Sequence, residues 1–144
     1  MKTWLVNSNS NRDPAHIFML RQNKAAAFYE CADKVDQISK GDLVLLYHNN
    51  NRIIAVGCVV APPNKGHEIF GTAMNSEEHS VDVNWLWKTT LDPKTGEPTS
   101  SPINRHDIGK VSGGIDMVRK TVVDVTEKVD YQKLLSEIAR VQNF

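Results

Sequence analysis

The segment from Ile38 to Val60 constrains the fold more than any other stretch of this chain. A polar Lys40-Gly41-Asp42 turn releases an apolar run, Leu43 to Leu46, that ends in Tyr47 and His48. Asn49, Asn50 and Asn51 then reverse the chain into a second apolar run, broken by Gly57 and ending at Val60. Two strand-sized runs separated by turn-forming asparagines predict a hairpin. Such a hairpin stands at the heart of a small barrel and carries two ring side chains at its turn end.

The flanking sequence supplies the rest of the barrel. Thr3 to Val6 predicts a short strand, followed by the polar stretch Asn7 to Pro14, in which Asp13-Pro14 forms a cap and first helical position. Ala15 to Leu20 predicts a short helix with Ile17 and Leu20 on one face. Lys24 to Asp33 reads equally as helix or as loop with a short strand. Ala61 to Glu78 is loop-rich, and Ser80 to Lys88 alternates, which places Val81, Val83, Trp85 and Trp87 on one face of a strand. Leu91 to Pro102 is a turn-rich, exposed excursion. Ile103 to Ile108 and the Ser112-Gly113-Gly114 turn are irregular, and Thr121 to Val125 is a β-branched strand. Asp130 caps a last helix in which Leu134, Leu135, Ile138 and Val141 recur at helical spacing. The expected class is α+β, a small mixed β-barrel flanked by two or three helices, with residues 1–144 forming one domain.

Charge and cysteine content narrow the setting. Seventeen basic and seventeen acidic residues cancel, so nucleic-acid binding would need a local patch or a base pocket rather than overall charge. Apolar runs are strand-sized, far short of the ~20 residues that cross a bilayer, and the apolar stretch at Trp4 to Val6 is too short for a signal peptide. Of the two cysteines, Cys31 and Cys58, the second lies in an apolar strand and reads as a buried thiol. The expectation is a cytoplasmic protein that does not engage membranes.

The order of elements resembles the PUA-like superfamily and, within it, the EVE domain, a close relative of the YTH domain. The resemblance rests on Trp4-Leu5-Val6-Asn7-Ser8, on Gly41-Asp42-Leu43-Val44-Leu45-Leu46-Tyr47-His48, on Ala55-Val56-Gly57-Cys58-Val59-Val60 and on Val81-Asp82-Val83-Asn84-Trp85. It covers about the first two thirds of the chain. It implies a PUA-like barrel that binds DNA or RNA and holds a modified base in an aromatic-walled pocket, with an effector protein as a further partner. Where such domains carry a tryptophan after the first helix, this chain reads Asn23-Lys24-Ala25-Ala26-Ala27-Phe28-Tyr29. The wall there falls to Phe28 or Tyr29.

The candidate ligand-binding residues follow. Tyr47, His48 and Asn49 form a pocket rim, with a ring to stack on a planar ligand and polar groups to read its edge; the competing reading packs both rings over the barrel mouth. Of Trp85 and Trp87, one belongs to the core and the other to an aromatic wall. Asn7, Ser8 and Asn9 can donate and accept toward a base edge, or simply satisfy their own turn. Arg12, Arg21, Lys24, Lys34 and Lys40 gather basic charge in the N-terminal third.

Nothing in the sequence speaks for catalysis. No His-Glu-x-x-His or Cys-x-x-Cys spacing occurs, Gly109-Lys110 lacks the Walker spacing, and no nucleophile stands in a recognisable motif. The expectation is a binding domain without metal or cofactor. Two alternatives remain: a protein-interaction scaffold whose pocket is filled by its own side chains, and a small hydrolase or nuclease assembled from His48, His67 and Asp82.

Overall fold

The computed structural model describes residues 1–8, 15–28, 31–48, 52–65, 78–100, 102–111, 114–115 and 122–142, with only the backbone of residue 28. Among the described residues seven strands form one curled mixed sheet: β1 (Thr3–Asn7), β2 (Lys24–Phe28), β3 (Leu43–His48), β4 (Arg52–Val59), β5 (Glu78–Lys88), β6 (Ile103–Asn104) and β7 (Val122–Asp124). Their order is β2-β5-β4-β3-β1-β7, with β6 paired to β4. Helices α1 (Ala15–Gln22), α2 (Ala32–Val35) and α3 (Tyr131–Gln142) complete the α+β fold.

The β3–β4 hairpin is antiparallel as its sequence predicts, and β1 lies parallel to β3, Thr3 opposite Leu43 through Asn7 opposite Tyr47. One buried carboxylate sets that register. Asp42 accepts from the backbone N–H of Lys2 at 3.0 Å and of Ser39 at 2.9 Å, and from the Trp4 indole at 2.9 Å. Burial alone would raise the Asp42 pKa, but these three donors outweigh it and hold the group below its ordinary value.

Strands buried on both faces give the sheet two apolar layers. One layer packs Trp4, Val6, Val44, Leu46, Val81 and Val83 against Met19 and Leu20 of α1 and Val35 of α2. The other packs Leu5, Leu45, Tyr47, Val56 and Trp87 against Ile103, Ile108 and, from α3, Leu134 and Val141. Asp130 caps α3 as expected, its carboxylate accepting from Lys133 N–H at 3.1 Å, but Leu135 points to solvent rather than into the core.

The expectation that Val81, Val83, Trp85 and Trp87 share a face is corrected. Opposite β4, Gly57 pairs with Trp85 and Val56 with Trp87, so Leu86 is an extra residue in β5. A bulge of this kind reverses the alternation beyond it. Trp85 therefore stays with the α1 layer, Trp87 crosses to the α3 layer, and Leu86 is left exposed. Gly57 faces the bulge because a Cβ there would stand 2.3 Å from Val83 Cγ1 and 2.7 Å from Trp85 Cε3.

Other expectations are settled more simply. Lys24 to Phe28 is a strand, so the helical reading of that stretch fails. Ile103 to Ile108 is ordered as β6 and a 3-10 turn, Arg105–Asp107. Cys58 is half-buried rather than enclosed. Asp13-Pro14, most of the Ala61–Glu78 loop, Ser112-Gly113 and Thr121 lie outside the described residues. Among the described residues no helix is long and apolar enough to cross a membrane.

Candidate functional site

Because β1 and β3 run parallel, their C-terminal ends meet at one edge of the barrel. There the Ser8 N–H donates to the Tyr47 carbonyl at 2.8 Å, and the Ser8 hydroxyl donates to the same oxygen at 2.8 Å. Ser8 Oγ also lies within hydrogen-bond distance of His48 Nδ1, at 3.3 Å.

Helix α1 brings His16 over this pair. The two imidazoles stack with centroids 3.7 Å apart and planes 25° from parallel, and both residues are buried. His16 Nε2 donates to the Gly96 carbonyl at 2.8 Å. Gly96 has φ +74°, and a Cβ on it would come within 3.2 Å of His16 Nε2, so both backbone and space call for glycine. Beside it, Arg52 at the start of β4 pairs with Glu97 at 3.0 Å. These contacts tie the excursion, closed on itself by a Leu91–Pro98 bridge, over the histidine pair.

Burial, reinforced by the neighbouring His16 and Arg52, pushes the His48 pKa down to about 4, with Glu97 opposing. His48 is therefore neutral near pH 7. Ser8 beside a neutral histidine has the outline of a nucleophile–base pair. Ser8, however, is 1% exposed and its hydroxyl donates to a backbone carbonyl, so it is not presented to a substrate. Asp82 of the alternative His48–His67–Asp82 set is bound by Lys24 at 2.5 Å in the β2–β5 ladder, and His67 lies outside the described residues.

The remaining candidates divide between the two faces of the sheet. Asn7 is half-buried at the end of β1, beside Ser8. Tyr47 and Trp87 are packed together in the α3 layer at 4% and 7% exposure, on the face away from α1, so neither ring is a free stacking surface. Trp85 is half-buried under α1, its indole donating to the Met19 carbonyl at 3.4 Å. Phe28 ends β2 opposite Glu78, and the side chain of Phe28 together with Asn9, Tyr29 and Asn49 lies outside the described residues. No local pattern marked His16, Arg52, Gly96 and Glu97 as neighbours, since only the tertiary fold joins them.

One further set has ligand-like spacing. Asp33, Asp36 and His79 each place a donor atom within 4.8 Å of the others. Within it His79 Nδ1 lies 2.9 Å from Asp36, and Lys65 Nζ lies 3.7 Å from the same carboxylate.

A curled mixed sheet with β1 parallel to β3 and helices on both faces defines the chain as having the PUA-like, YTH-type fold. Among the solved structures it is similar to are YTH domains. One is the YTH domain of Zygosaccharomyces rouxii MRB1 in complex with N6-methyladenosine RNA, at TM-score 0.57 and 9% identity, covering 97% of this chain and 86% of that one. Another is the Pho92 YTH domain in complex with m6A, at TM-score 0.57 and 11% identity, covering 99% and 87%. The Toxoplasma CPSF4 YTH domain in complex with a 7-mer m6A-modified RNA matches at TM-score 0.53 and 15% identity, covering 96% and 91%. No protein-family model matches the chain, and no curated protein matches it by sequence.

Proposed function

We propose that this chain is an EVE-type nucleic-acid-binding domain that receives one modified base and performs no chemistry on it. The observation that carries the reading is the fold likeness, over nearly the whole length, to YTH domains solved with modified RNA. A base leaves its stack at a cost of a few kcal/mol. In this reading Asn7, with Asn9 beyond it, meets the base edge, and the wall is provided by Phe28 and Tyr29 rather than by Tyr47 or Trp87. Ser8 acts indirectly, holding the β1 and β3 ends together so that Asn7 is presented at a fixed place. Recognition of this kind suits the specificity module of a cytoplasmic RNA-processing or defence system, acting through a separate effector chain.

The test is fluorescence anisotropy of short labelled single strands, RNA and DNA, with and without N6-methyladenosine, at low salt. The expected result is saturable binding of a modified strand and at least tenfold weaker binding of its unmodified counterpart, consistent with the ~1–3 kcal/mol of a stacked base. Equal affinity for both strands, or no binding to any strand by the folded protein, overturns the proposal.

A further inference from the structure

A recess lies along α1 from the histidine pair. The C-terminal half of α1, the end of β5 and the start of the excursion enclose a groove of about 330 Å³. Its apolar walls are Ile17, Leu20, Leu91 and Pro93, and Arg21 and Lys88 supply positive charge. That size falls within the range of small-ligand sites.

Two observations say what the groove is suited to hold. Arg21 is exposed and forms no ion pair among the described residues, and Lys88 spends one donor on the Leu20 carbonyl at 3.2 Å and keeps two more. The one acidic lining residue, Asp92, is turned to its own loop, accepting from Lys94 N–H at 2.7 Å and Thr95 N–H at 3.3 Å. Thr89 and Thr90 complete its lining. Two available cations beside an apolar slot complement a phosphate joined to a flat, apolar-faced group.

The geometry points to this groove as a binding site for one nucleotide, its phosphate toward Arg21 and Lys88 and its base against Leu20, Leu91 and Pro93. The inference deepens the base-reading proposal and rests on it for the identity of the polymer, the occupant being a neighbouring nucleotide of the same strand. His16 and Leu20 are four residues apart on α1, which is about 6 Å along the helix axis. The groove and the β1–β3 edge also share the excursion as a wall. Recognition thus extends from a single base to a short stretch of strand, and the groove contributes phosphate contact in a chain with no net charge.

Two measurements test it. In the first, adenosine 5′-monophosphate and adenosine are titrated separately into the isotope-labelled protein, and backbone amide shifts are followed. Saturable shifts at Thr89, Thr90 and Leu91 with the monophosphate, and markedly weaker ones with adenosine, support the site. Their absence at millimolar nucleotide overturns it, whatever becomes of the modified-base reading. In the second, Arg21→Gln and Lys88→Gln are compared with wild type for binding a modified single strand across salt concentrations. Loss of one phosphate contact lowers the slope of log affinity against log salt by about 0.7, with about a 3- to 10-fold loss of affinity at low salt. An unchanged slope in both variants, with wild type binding normally, overturns the groove while leaving the base-reading intact.

Discussion

The rings of His16 and His48 lie face to face, 3.7 Å apart, although one comes from α1 and the other from the end of β3. Their packing predicts an acid-sensitive fold. His48 has its pKa lowered from the ordinary 6.5 to about 4 by burial and by the charge of His16 and Arg52. Above pH 6.5 it is neutral folded and unfolded alike, and nothing is lost. As the pH falls toward 4 the unfolded chain takes up a proton that the folded chain refuses, so stability drops by about 3 kcal/mol at about 1.4 kcal/mol for each pH unit. Denaturant unfolding between pH 7 and pH 4 checks this. Wild type should lose that increment and His48→Asn should lose much less; equal slopes would count against it.

Asn7 and Tyr47 are register partners at the end of the β1–β3 ladder, yet they predict opposite phenotypes. Asn7→Ala should weaken binding of a modified oligonucleotide about tenfold, the effect of roughly one lost edge contact. Tyr47→Ala should instead cost about 3–5 kcal/mol of stability as a core truncation, while the folded fraction keeps its affinity. Paired unfolding and anisotropy titrations separate the two. A Tyr47→Ala protein that is stable but binds poorly would return that ring to the pocket.

Gly57 is expected to tolerate nothing larger. An added methyl meets Val83, Trp85 and the Asn84 carbonyl, all within 2.8 Å, and the last of these is backbone. Gly57→Ala should therefore destabilise by about 1–3 kcal/mol through overpacking at the bulge, readable as a lowered urea midpoint.

Asp42 should behave as a structural clasp. Asp42→Ala leaves the Trp4 indole and two backbone donors unmatched and should cost about 2–3 kcal/mol, whereas Asp42→Asn retains an acceptor and should cost less. Because its folded pKa is depressed, this contribution is complete above its ordinary value of 3.8 and is lost as the pH falls below it. The wild-type minus Asp42→Ala difference, measured at pH 6 and pH 2.5, should shrink.

The elements legible in the sequence were those whose side chains announce a period or a turn. The β3–β4 hairpin, β1 and the Asp130-capped α3 belong to that group. Strand β2 did not announce itself, because Ala25, Ala26 and Ala27 carry no alternation and favour helix by intrinsic propensity. The tryptophans were assigned to one face because alternation was extended through Leu86, and a bulge is visible only once Gly57 is known to stand opposite. At the barrel edge, the pairing of Ser8 with His48 follows from β1 lying parallel to β3, a crossover that leaves no local trace. His16, Gly96 and Glu97 reach the same place from an unrelated helix and loop, so their grouping is a property of the tertiary fold alone.

The position of β1 between β3 and β7 carries a consequence for biosynthesis. The earliest-made of the seven strands has the last-made one as a neighbour, so its second edge stays open until Val122 to Asp124 has been translated. Until then the nascent chain displays Trp4, Leu5 and Val6 on an unpaired rim, a template for errant β-pairing. Closure joins segments far apart in the chain, which slows folding. Chaperone capture during synthesis should therefore bear most heavily on chains arrested short of β7.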